Sequence, residues 1–352
     1  MANWLESMQR TYEYYIVDPY TWRDKKPITT VKSCTITRDS DVETLGSATI
    51  DIDESIGECY IRVYLVTIQN GVKEKHPLGT FLVQTPSVGF DGKVKSTSLD
   101  AYTPLIELKE NDPPIGYYVE KGMNIMEAAY RIARENMRAP VVEAKCDSTL
   151  SYDFVADTSD TWLSFLIDLI SVANYRLELD EMGRVLFAPK QRLTALAPVW
   201  DYDDNNSSIL YPELSIDGDM YGIPNVVEVV YYDGQHHYEC IVSNDDENSP
   251  ISTVSRGRKI VYRDSDPDIP GVPDQSQIDE YAQRLLQELS SLEHTVSYSH
   301  GYCPVRLRDC VRLNYTKASL SDTKAQVVGQ TIKCTPSCTV SEKAIFVNKL
   351  WR

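Results

Sequence analysis

Apolar and polar residues alternate one by one in the first third of the chain. Ile50 and Ile52 alternate with Thr49 and Asp51, and Ile61, Val63 and Leu65 alternate with Arg62 and Tyr64. A period of two predicts half-buried strands. Asn70-Gly71 lies between Ile68 and Val72, and Asp91-Gly92 between Phe90 and Val94. Both dipeptides favour the positive φ of two-residue hairpin turns, so residues 1–112 read as an antiparallel β module.

Asp112-Pro113-Pro114 breaks that pattern, and the period then changes. Asn124 and Glu127 are spaced as a capping box, followed by Ile125, Ala129, Ile132 and Ala133 at helical steps up to Pro140. A second helix is predicted over 159–174, with Trp162, Phe165, Leu166, Leu169, Ile170 and Ala173 on its apolar face. A hairpin over 175–179 and 184–187, turning at Met182-Gly183, completes an α+β module over 113–200.

Strands return after Asp201-Tyr-Asp-Asp. Val227, Val229 and Tyr231 lead through Asp233-Gly234 to Tyr238–Val242, and Arg258–Tyr262 reads as a further strand. A third helix is predicted over 276–292, with Ile278, Tyr281, Ala282, Leu285, Leu289 and Leu292 on one face. Strand is expected from Thr295 onward. Gly79–Val88 aligns without gaps on Gly329–Cys338, sharing Gly, Thr, Pro and Ser in a strand–turn–strand frame. This is the trace of a duplicated β-barrel. The expected class is α+β, mainly β: two similar antiparallel barrels, 1–112 and 201–242 with 293–352. The α+β module stands between them, and a helix-containing insertion, 243–292, interrupts the second.

Composition narrows the function. Among 352 residues the formal net charge is −17, which disfavours binding through broad phosphate neutralisation and an anionic membrane surface. Tyr accounts for 23 aromatic side chains against 6 Phe and 5 Trp, a balance suited to strands and interfaces. The amino terminus lacks a basic segment followed by an apolar core, and Trp162–Ala173 is too short to span a membrane. A protein made and folded in a cytoplasm is expected, with its eight cysteines as free thiols. Cys303, Cys310, Cys334 and Cys338 cluster in sequence, but their spacings are not those of a zinc knuckle pair.

The usual signatures of chemistry are missing. No phosphate loop, dinucleotide fingerprint, nucleophile elbow or H-E-x-x-H appears. His236-His237 reads as a solvated pair beyond a turn. Asp264, Asp266 and Asp268 open like a calcium loop, but Ile269 stands where that loop needs Gly and Gln275 where it needs Glu. Asp201, Asp203 and Asp204 also read as solvated. No residue is singled out as catalytic, cofactor-binding or metal-ligating, and no cofactor is expected.

The order of parts resembles the central tail hub (baseplate hub) proteins of long-tailed bacteriophages and phage-tail-like particles. Arg62-Val-Tyr-Leu-Val with Pro77-Leu-Gly-Thr-Phe-Leu-Val83 resembles the strand, loop and strand of their first barrel. Ser98-Leu-Asp-Ala-Tyr with Leu105 resembles the strand that leaves it, and Ile223–Tyr231 the first strand of the second barrel. Gly301–Leu313 resembles the late segment where a Gly-Asp turn feeds a strand, with Arg308 in place of that Gly.

The resemblance implies a homotrimer whose paired barrels imitate six-fold symmetry. Such a ring would join a six-fold tail tube or distal tail protein to a three-fold spike or tail-tip protein. Its lumen would pass DNA or the tape measure protein, and it would reside in the virion after assembly in the host cytoplasm. An acidic lumen would repel phosphate, although solubility accounts for the same charge. Some relatives carry a carboxy-terminal lytic domain. Here the last strand runs into Trp351-Arg352, so no lytic activity is expected; the acidity and the shortness of the apolar stretches argue against sequence-specific nucleic-acid binding and membrane insertion. Two alternatives stay open: a cell-wall-degrading enzyme on a β-rich scaffold, and a hexameric distal tail or receptor-binding module.

Overall fold

The computed structural model describes residues 2–90, 95–269 and 273–350. Strands make up 46% of it and helices 15%, which is the expected mainly-β class. The first seven strands are β1 (Gln9–Val17), β2 (Asp24–Ile28), β3 (Val31–Asp39), β4 (Gly46–Ile52), β5 (Cys59–Gln69), β6 (Val72–Phe90) and β7 (Lys95–Tyr102). A short helix absent from the sequence expectation, α1 (Ile106–Lys109), closes this region. Then come β8 (Tyr118–Val119), α2 (Ile125–Asn136), β9 (Phe154–Val155), α3 (Trp162–Val172), β10 (Tyr175–Leu179), β11 (Val185–Pro189) and β12 (Trp200–Asp203). The remainder holds β13 (Leu210–Gly218), β14 (Val226–Tyr232), β15 (His237–Ser243), α4 (Thr253–Arg256), β16 (Val261–Asp264), α5 (Gln275–Leu289), β17 (Ser291–Gly301), β18 (Cys310–Tyr315), β19 (Leu320–Lys333) and β20 (Thr339–Lys349).

The chain forms two compact units, Met1–Leu214 with Tyr298–Lys343, and Ser215–Ser297 with Ala344–Arg352. In the first, strand pairing runs β2-β1-β5-β6-β7-β4-β3-β19. β19 also pairs antiparallel with β18, which takes β12 in parallel. The antiparallel β3–β19 ladder thus joins the strands expected in one barrel to those expected in the other. Among the described residues no pairing closes either barrel on itself.

The Asn70-Gly71 turn forms as expected, because Gln69 pairs with Val72 and both turn residues have positive φ, 49° and 78°. Asp91-Gly92 lies outside the described residues. β5 departs from the half-buried expectation. Arg62 and Tyr64 are 1% and 7% exposed, so this strand is covered on both faces. Its polar positions are buried with partners, as burial in a low dielectric demands. The repeat is also less symmetric than its alignment. Gly329–Cys338 makes a strand and then a turn, whereas Gly79–Val88 stays within β6, where the ladder shifts register between Val83 and Thr85. The first stretch keeps its strand through a bulge at Gln84, and the second leaves the strand at its Thr-Pro-Ser turn.

The α+β module has its own core. Every residue of the expected α2 face is buried, and all of the α3 face except the half-buried Ala173. Asn124 accepts from the Glu127 amide at 3.1 Å, but its side-chain amide turns to the Cys146 carbonyl at 2.6 Å, so this cap is one-sided. The reciprocal box occurs instead at Thr161 and Ser164, which start α3 at Trp162 and not at residue 159.

In the second unit β14 pairs antiparallel with β15 and parallel with β16. β16 begins at Val261, three residues later than expected. Val227 and Val229 pack against Ile278, Ala282 and Leu286 of α5, and Leu292 belongs to β17. The Asp233-Gly234 turn has four residues, with Tyr232 opposite His237, and only Gly234 of the pair has positive φ, 90°.

Candidate functional site: a junction of three segments

The hairpin between β10 and β11 inserts its turn between the two strand sets of the first unit. Gly183 adopts φ +74°, and a Cβ there would meet Thr80 Cβ at 2.8 Å and Trp22 at 3.1 Å. Only glycine combines that conformation with so close an approach. The Met182 carbonyl accepts from Trp22 Nε1 at 2.7 Å and Arg62 Nη2 at 3.2 Å. Arg62 also donates to Thr80 Oγ1 and to Asp24 Oδ1, both at 2.9 Å. A buried guanidinium thereby ties β5 and β6 to the β1–β2 turn and to the α+β hairpin.

Glu181 carries the link onward. Its carboxylate lies 3.8 Å from Arg38 Nη2 on β3 and 2.6 Å from Arg306 Nη2. Arg38 Nη1 also donates to Gln330 Oε1 of β19 at 3.1 Å. Arg308 adopts φ 68°, a left-handed conformation that favours glycine, and its Nη1 donates to the Leu177 carbonyl at 2.6 Å. Burial raises the Asp309 carboxyl above its ordinary value, although the Arg306 amide donates to it at 2.8 Å. A cavity of about 310 Å³ remains between these segments, lined by Arg38, Glu181, Arg306, Phe81 and Leu307 among others.

A second polar cluster lies wholly inside. His300 Nε2 lies 3.0 Å from Tyr202 Oη and 3.4 Å from Glu342 Oε2. Glu342 also accepts from Tyr298 and, at 2.6 Å, from Gln330 Nε2, while Cys303 Sγ lies 3.2 Å from Tyr202 Oη. Burial by itself lowers the His300 pKa, but the bonds to Cys303 and Glu342 together outweigh it and push it up to about 10. The imidazolium joins β17, β12, β19 and β20 around one paired charge.

The residues weighed for chemistry do not converge. Cys303 belongs to the His300 cluster, Cys310 starts β18, and Cys334 and Cys338 flank the turn before β20. His236 Nδ1 pairs with Asp233 at 3.0 Å. Asp264 accepts from Tyr281 Oη at 2.7 Å, and Asp201 is clasped by both Arg312 Nε and Nη2. Asp203 accepts from Asn314 at 2.8 Å and Asp204 from the Thr316 amide at 2.9 Å. Among the described residues no group of three or more His, Cys, Asp or Glu is placed to hold a metal. Arg62, Glu181 and Glu342 escaped the sequence reading because nothing local distinguishes a buried charge from a solvated one.

No family model and no curated protein matches this sequence. Solved structures do. A tail protein from Neisseria meningitidis is 11% identical, with 96% of each chain covered and a TM-score of 0.64. The 43 kDa tail protein of prophage MuSo2 from Shewanella oneidensis is 9% identical, with 97% of this chain and 98% of that one covered and a TM-score of 0.59. Prophage tail protein gp18 from Listeria monocytogenes is 12% identical over 96% and 95%, with a TM-score of 0.52. The resemblance carried by the order of modules is therefore borne out at the level of the fold: the chain has the fold of phage tail proteins.

Proposed function

We propose that this chain is a structural tail hub subunit of a phage tail or tail-like particle, a trimer that joins a six-fold tail tube to a three-fold spike or tip. The carrying observation is that tail proteins match it end to end, covering 96% of both chains in one case, with no large part of either left over. The junction supports the reading. Two strand sets and an α+β module are fixed together by Arg62, Glu181 and Arg38, as a load-transmitting ring subunit requires. The reading is structural and not enzymatic: the tail proteins that match the chain support it, and the charged groups of the junction are engaged with one another across its segments. The proposed partners are two further copies, the tail tube or distal tail protein, the spike, and the tape measure protein. The proposed location is the virion tail tip.

The proposed modules are 1–112, 113–200, 201–242 with 293–352, and the insertion 243–292. Light scattering over a range of concentrations tests the assembly. A mass near three times 39.9 kDa is expected. A hexamer would transfer the assignment to a distal tail ring, and a strict monomer that still failed to close on a purified tube or spike would remove the hub.

A further inference from the structure

The β3–β19 ladder ends on the pair Lys333 and Thr35. One more residue along each strand sets Cys334 opposite Cys34, and the Cys334 amide donates to the Cys34 carbonyl at 3.0 Å. Directly opposed residues of an antiparallel ladder have Cα atoms roughly 4.5–5.5 Å apart, inside the range of about 4.4–6.8 Å that a disulfide spans. The two thiols interact directly, and the Tyr14 hydroxyl adjoins both. Cys338, the other thiol of the turn, hydrogen-bonds with Tyr12. The ladder thus sets Cys334 against Cys34, on a neighbouring strand, and not against its neighbour in sequence, Cys338.

We propose that Cys34 and Cys334 are a thiol–disulfide exchange site, whose oxidised form bonds β3 covalently to the end of β19 and locks the two strand sets of the first unit together. Cys34 is 3% exposed and Cys334 is partly open, so exchange starts at Cys334. The oxidant is a low-molecular-weight disulfide such as oxidised glutathione. The Cys334 thiolate attacks one of its sulfurs, forms a mixed disulfide and expels one glutathione thiolate. The Cys34 thiolate then attacks Cys334 Sγ and expels the second. Two electrons pass from the protein thiols to the glutathione pair, and the two thiol protons end on the released glutathiones. Hydrogen bonding with Cys34, and then burial, hold the Cys334 thiol well above its ordinary pKa, so oxidation is slow near neutrality and quickens as pH rises. The inference concerns the single chain and does not depend on the assembly proposed above.

The test uses the purified full-length chain, incubated with oxidised glutathione at pH 8 and then denatured and alkylated. The expected result is a chain that takes up two fewer alkyl groups than the reduced chain treated alike, and a cross-linked peptide joining residues 34 and 334. Cys34→Ser should stop at a glutathione adduct on Cys334, and Cys338→Ser should still form the bond. The oxidised chain should melt several degrees (about 4 °C or more) above the reduced one, since the bond constrains a long loop. Should a serine variant fail to fold, wild-type peptide mapping alone decides. Recovery of both Cys34 and Cys334 as alkylated thiols, a bond from Cys334 to Cys338, or an oxidised chain no more stable than the reduced one would each overturn the proposal.

Discussion

Single charged residues carry more of this structure than their surroundings in sequence suggest. Arg62 occupies a polar position of an alternating strand, yet it is 1% exposed and binds Thr80, Asp24 and two carbonyls. Arg62→Ala would strand the buried acceptors, at a cost of about 3 kcal/mol by urea denaturation. Hydrogen exchange at residues 180–183 should quicken with it; unchanged exchange there would show that Arg62 does not hold the hairpin. His300 makes the complementary prediction. Its folded pKa of about 10 lies above the unfolded value of 6.5, so its stabilising contribution is full below pH 6.5 and is lost as pH rises through 10. His300→Gln should flatten that decline. Equal slopes for wild type and variant between pH 6.5 and 10 would place the titration elsewhere.

At the scale of elements, the turns separate backbone strain from packing. Gly71 has φ +78° with open space where a methyl group would stand, so Gly71→Ala should cost about 1 kcal/mol from conformation alone. Gly183 has the same sign of φ and a neighbour at 2.8 Å, so Gly183→Ala should cost about 2–3 kcal/mol and disturb the Trp22 indole. Tryptophan fluorescence distinguishes them: a shift for Gly71→Ala, or none for Gly183→Ala, contradicts the docking. The helices were legible because their cores are local. The α3 face repeats every three or four residues, and packing then confirms what periodicity already states. The starts were less legible. A cap at residue 161 rather than 159 depends on which of several Ser, Thr and Asp side chains turns inward, and the Thr161–Ser164 box won.

At the scale of the molecule, charge and assembly are the relevant quantities. With a net charge of −17 the chain should leave double-stranded DNA unshifted in a mobility assay even at low salt, where phosphate contacts are strongest. Retarded DNA would reveal a basic surface, at odds with the repulsion of phosphate expected of so acidic a chain. Trimerisation, the other prediction at this scale, is tested by mass.

By itself the sequence determined the mainly-β class, the three longer helices and the Asn70-Gly71 hairpin. Each is written in residues within a few positions of one another, where propensity and periodicity act. Tertiary structure alone decided that β3 pairs with β19, that Arg308 fills a left-handed position, and that Arg62, Glu181 and Glu342 are buried in partnership. It also set Cys34 against Cys334, three hundred positions apart in sequence. The reason is physical. A strand edge or a charged side chain carries no local mark of its partner, and the choice among distant partners is made by which pairing leaves the fewest buried polar groups unsatisfied.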